Sequence, residues 1–182
     1  MLLVTLLFGL VSSSVVPSIR FADIPWGADG STVTREMQAR EFALVRVDAE
    51  GDYLFEGTVM NHRAVVTAYM ASGRLSKVTV ALATPGRDAR AAYVEAKRTL
   101  TAQYGAPQTR EEFEWPYEAG DGYEEIAIKM GKATFLSLWR QSVSDGSEGV
   151  GLEITPRLVV RLFYESPGWT AEAQRRQARP AV

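Results

Sequence analysis

The chain predicts an α+β fold, one antiparallel sheet with helices on one face, arranged as two tandem helix-plus-strands units. Three observations predict it: strand-like runs outnumber helix-like runs about three to one, the links between strands are too short for parallel crossovers, and the order helix-then-strands occurs twice. Length and composition agree with one globular domain. With 182 residues, 46% hydrophobic and 23% charged, the chain can bury a core without disulfide or structural metal.

The first unit covers about residues 24–84. After Trp26-Gly27, Asp29 or Ser31 can cap a helix over 32–40 whose apolar face is thin, chiefly Val33 and Met37. Strands are expected at 42–47, 53–59, 64–70 and 75–83, the last two joined through Ala71-Ser72-Gly73. In the last of these, Val78, Val80 and Leu82 share one face and Lys77, Thr79 and Ala81 the other, so one face lies in the core and one in water.

The second unit covers about residues 86–165 and opens with the clearest helix. Asp88 can cap it, Tyr93, Ala96, Leu100 and Tyr104 form its stripe, and Gly105 followed by Pro107 ends it. Strands are expected at 124–130 and 133–141, joined through Gly131-Lys132, then at 150–154 and 158–165 around Pro156. Alternation puts Phe135, Ser137 and Trp139 on one face and Leu136, Leu138 and Arg140 on the other. One of these hydrophobic sets therefore faces away from the helices, and a partner protein would cover it. Residues 170–182 have almost no apolar face and read as a polar tail, a frayed helix or disordered.

Residues 1–16 hold eleven strongly apolar residues and no charge, with Leu2, Leu3, Leu6, Leu7, Phe8 and Leu10 filling the run. Its length suits a signal-peptide core, and Ser12 and Ser14 supply a small-x-small cleavage pattern, so export is expected. No Lys or Arg precedes the run, which departs from the usual positive start. As a helix, sixteen residues would reach about 24 Å, short of the roughly 30 Å hydrocarbon core. The segment is thus expected to be removed as a signal, or retained as an anchor or docking strip.

Composition excludes much chemistry. With no Cys there is no thiol nucleophile, cysteine zinc site, iron–sulfur ligation or lipid-bearing cysteine, and the lone His62 cannot build a three-nitrogen metal site. No G-x-S-x-G elbow accompanies His62, which reads as a solvated turn residue. A net charge of −2 lacks the positive field that nucleic acid requires. Gly131-Lys132-Ala133 and residues 145–151 (DGSEGVG) have the wrong spacing for phosphate loops, and residues 48–53 (DAEGDY) are a poor calcium loop; all read as turns. No cofactor or metal is expected.

The one local shift in composition is residues 111–125 (EEFEWPYEAGDGYEE), with seven acids, no base and four aromatic residues. Three readings are open: a solvated edge guarded by negative charge, a contact surface in which rigid aromatics and acids meet a basic partner, and a pair of glycosidase carboxylates. The contact residues expected are Trp115, Tyr117, Tyr123 and Trp139, with Glu114 and Glu118 beside them.

Ile24-Pro25-Trp26-Gly27 before the first helix, residues 69–75 (YMASGRL) at a hairpin and residues 100–107 (LTAQYGAP) closing the second helix carry a family likeness. Over about residues 21–165 the chain resembles small bacterial envelope proteins of the beta-lactamase-inhibitor-protein-like and SmpA/OmlA-like groups. The resemblance implies a non-catalytic protein that binds other proteins through its sheet or loops. It departs from the pattern by having no Cys, hence neither a lipid anchor nor the inhibitor group's disulfides.

The resulting expectation is an exported, non-catalytic module docked on a membrane protein complex, as an accessory subunit. The alternatives are a freely soluble periplasmic binder or inhibitor, and a polysaccharide-acting enzyme using glutamates within residues 111–125, which Glu114→Gln with Glu118→Gln would inactivate.

Overall fold

The computed structural model describes residues 18–84 and 89–178, so the apolar run at 1–16 and the expected helix cap Asp88 lie outside the described residues. Asp29 caps the first helix, α1 (Gly30–Gln38), by accepting the Thr32 backbone N–H at 2.8 Å, and its carboxylate also takes the Ser31 hydroxyl. The helix buries Val33 and Met37, as its thin stripe predicts. Four strands follow: β1 (Ala43–Val47), β2 (Tyr53–Val59), β3 (His62–Ala71) and β4 (Arg74–Leu82). Met60-Asn61 and Ser72-Gly73 turn the two later hairpins with positive φ at both positions, which matches the twist of the flanking strands.

The second half begins with α2 (Ala89–Tyr104), which buries Ala92, Tyr93, Ala96 and Leu100. It continues through β5 (Gln108–Phe113), α3 (Glu124–Lys129), β6 (Ala133–Val143), β7 (Gly146–Ile154), β8 (Val160–Glu165) and α4 (Trp169–Gln177). All strand pairs are antiparallel, and the eight form one sheet in the order β1-β2-β3-β4-β8-β7-β6-β5. The last strands of the two runs meet at the centre, Lys77 opposite Glu165 through Leu82 opposite Val160. Each half is a helix followed by four antiparallel strands, and the second also carries α3 between its first and second strands.

One face of this sheet is the core. Phe55, Val66, Val78, Val80, Val150, Leu152 and Leu162 are nearly or wholly buried beneath α1 and α2, each large side chain contributing roughly 1.5–3 kcal/mol by leaving water. The Tyr93 hydroxyl reaches through this layer to Ser137 Oγ at 2.8 Å, and burial raises its pKa to about 12. The other face carries Leu54, Val65, Tyr69, Thr79, Phe163, Leu136 and Leu138, all half-buried or exposed.

Three sequence expectations change. Where a strand is expected at 124–130 the chain forms α3, capped at its C-terminus by Met130: Ala127 and Ile128 turn inward while Ile126 and Met130 face water. Glu124 and Glu125 in its first turn and Lys129 in its last suit the helix dipole. A strand that pattern reading missed, β5, pairs among the described residues with β6 alone and forms an edge. The expected frayed or disordered tail contains α4, which lies against the open face of the sheet, with Trp169 5.6 Å from Tyr69 between ring centres and Lys77 over the Trp169 ring. Helices α1 and α2 keep the opposite, core face.

Candidate partner-binding surface

The segment after β5 leaves the edge of the sheet at Phe113 and returns at Ala133, and its base is closed twice by the same two residues. The Glu114 backbone N–H donates to the Lys132 carbonyl at 2.8 Å, and Lys132 Nζ donates to Glu114 Oε2 at 2.7 Å. At the tip the Asp121 carboxylate accepts the backbone N–H groups of Glu118 at 2.9 Å and Tyr123 at 2.7 Å, which hold it ionised below the usual carboxylate range. Gly120 N–H donates to Glu124 Oε1 at 3.0 Å, tying the loop to the start of α3. The loop is therefore hydrogen-bonded into shape.

Its apolar side chains face water. Trp115 is 89% exposed, Met130 64%, Tyr123 58% and Ile126 46%. Ile126 and Met130 are four residues apart on α3 and Tyr123 three residues before Ile126, so the three fall on one side of the helix. Tyr117, half-buried, donates its hydroxyl to the Met130 sulfur at 3.2 Å and joins the loop to that stripe. Of the expected contact residues, Trp115, Tyr117 and Tyr123 thus gather at one corner, with Glu114 and Glu118 exposed beside them.

Trp139 does not join them. It is 3% exposed on the core face, and its indole N–H donates to the Gly105 carbonyl at 2.8 Å, closing the end of α2 against β6. Alternation shows which residues share a face with Phe135, and burial shows that this face is the inner one. Ile126 and Met130 were missed because residues 124–130 alternate like a strand; the exposed charge at both ends of the run was the available helix signal.

Four of the seven acids in this stretch are paired: Glu111 with Lys97, Glu112 with Arg110, Glu114 with Lys132 and Glu124 with Arg90. Glu118, Asp121 and Glu125 have no cation partner among the described residues. Hydrogen bonding to Lys132 holds Glu114 below the usual carboxylate range, the reverse of what a glycosidase proton donor needs.

Elsewhere, His62 opens β3 and does not sit in the turn, with Nε2 3.9 Å from Glu95 Oε2. Among the described residues no three His, Asp or Glu side chains gather as metal ligands. A cleft of about 400 Å³ lies between α4 and the open face, lined by Tyr69, Thr79, Phe163 and Trp169, but its charges are used internally. Lys77 pairs with Glu165 and Arg161 with Glu153, while Arg176 pairs with Asp52 and Glu172.

The start of the described chain is pinned at the far end of the sheet. Buried Glu148 accepts from Ser18 Oγ at 2.9 Å, Ile19 N–H at 2.8 Å and Trp26 Nε1 at 3.2 Å. Glu148 pairs with Gln141 on β6, whereas the corner loop returns at Ala133, eight residues away. That places the two ends roughly 27 Å apart at about 3.4 Å per residue.

Comparisons with protein-family models, curated proteins and solved structures find no match.

Proposed function

We propose that this chain is a non-catalytic, extracytoplasmic protein-binding module that docks on a membrane protein complex through the Trp115 corner. The observation that carries the reading is a set of exposed apolar side chains on one loop and the helix that follows it, Trp115, Tyr123, Ile126 and Met130, with the loop held in shape by hydrogen bonds. Large aromatics on a preorganised support lose little freedom on binding and are typical anchors of protein contacts. Leu2, Leu3, Leu6, Leu7, Phe8 and Leu10 support export, as a cleaved signal or a retained anchor. In this reading Glu148 sets where that segment meets the domain, and the corner loop returns to the sheet roughly 27 Å from it.

The test is co-purification from the native envelope. Substituting Trp115 and Tyr117 by Ala is expected to release the partner while the circular dichroism spectrum and thermal midpoint stay unchanged. Unchanged retention removes the corner from the interface. Intact mass of the native protein separates a retained anchor from a freely soluble periplasmic binder.

A further inference from the structure

We infer that the corner's partner presents an apolar strip flanked by lysine and arginine, an inference that rests on the corner being the docking surface. The outward stripe of α3 and Tyr117, bonded to its Met130, form an apolar ridge exposed among the described residues, and Trp115 stands exposed two positions before Tyr117 on the same loop. Around it, Arg90, Lys97, Arg110 and Lys132 are already engaged by Glu124, Glu111, Glu112 and Glu114. What remains to face a partner among the described residues is Glu118, Asp121 and Glu125, three carboxylates on the loop and first turn beside Tyr117 and Tyr123, against one exposed cation without an acid partner, Lys129 in the last turn of α3.

The complement of such a surface is fixed by charge. A partner with acidic flanks would bring like charges together at the rim as the ridge is desolvated. An anionic lipid surface is disfavoured for the same reason, although exposed Trp, Tyr and Ile would otherwise suit a membrane interface. The ridge supplies the contact area and the carboxylates select its partner and its orientation.

The probe is a pair of amphipathic helical peptides with the same leucine face, one carrying Lys and one Glu on the polar face, titrated into the full-length protein. Trp115 fluorescence is the readout, assigned by loss of the response in Trp115→Phe. The Lys peptide is expected to bind about tenfold more tightly than its Glu twin, a gap that closes at about 1 M salt where the screening length is about 3 Å. Glu118→Gln with Glu125→Gln should shrink the gap, and Trp115→Ala should weaken both peptides. Equal binding of the two peptides through Trp115 overturns the charge assignment and leaves the corner standing as an apolar site. Tighter binding of the Glu peptide, or binding to vesicles rich in phosphatidylglycerol, also overturns it. Binding of neither peptide at Trp115 overturns the proposed occupant, and envelope co-purification with the Trp115 and Tyr117 substitutions then reports separately on the corner.

Discussion

Tyr117 and Met130, thirteen residues apart, meet where the phenol donates to the thioether sulfur at 3.2 Å, and this contact fastens an acidic loop to the exposed side of a short helix. Tyr117→Phe keeps the ring and removes the donor. The expected result is a fold of unchanged thermal midpoint, since the site is exposed, with faster amide exchange confined to residues 117–123. Unchanged exchange there would show that the Asp121 turn alone orders the loop.

Glu148→Ala removes the acceptor for Ser18, Ile19 and Trp26 at once. Loss of charge-assisted bonds from a buried carboxylate is expected to cost about 2–4 kcal/mol. Denaturant unfolding measures it, and exchange should rise first at residues 18–27, far from the corner.

The core offers a milder test at Tyr93, whose hydroxyl bonds the fully buried Ser137. Tyr93→Phe is expected to cost about 1 kcal/mol, because Thr109 remains as a second hydroxyl partner for Ser137. A loss near that of Leu100→Ala, about 2–5 kcal/mol, would mean that the hydroxyl pair organises the α2 contact and does not merely satisfy it.

At α4, Arg176 bonds Asp52, Glu172 and the Met70 carbonyl. Arg176→Met leaves two nearly buried carboxylates without this cation and is expected to cost about 3–5 kcal/mol or to undock the helix. Acid should act in the same direction. Burial pushes the Glu172 carboxyl up, but hydrogen bonds from Arg176 and Arg175 outweigh it and hold the pKa below the usual range. A depressed folded-state pKa contributes stability above the unfolded value of about 4.3, and the contribution is lost as pH falls through the folded value. Asp52 and Glu50 on the facing turn, and Lys77 and Glu165 beside Trp169, share this field. The check is exchange protection of residues 169–177 corrected for intrinsic rates, expected to drop below about pH 4 while the strands stay protected. Unchanged protection would contradict the ionic account of docking.

Much of this fold is legible in the residues. Asp29 before Val33 and Met37 announces α1, and Tyr93, Ala96 and Leu100 ending at Gly105 announce α2, because caps and stripes are local. β5 is not legible, since an edge strand needs only one ladder and Gln108 to Glu112 stay polar. Six residues are too few for a helical period to outvote the alternation of Ile126, Ile128 and Met130, so α3 and half of the corner are hidden. Docking of α4 depends on Arg176 meeting Asp52 across 124 positions, which no local pattern encodes. Trp115 and Tyr123 stood out for the opposite reason: large aromatics amid unbroken acidity have no local core to enter.

Under the proposed reading the corner and the open sheet face compete as the partner's landing site, and site-specific photocrosslinking in native cells decides between them. A crosslinker replacing Ile126 on the corner should capture a partner, while one replacing Val65, 38% exposed on the open face, should not. Capture at position 65 with none at 126 would move the interface to the sheet and contradict the reading.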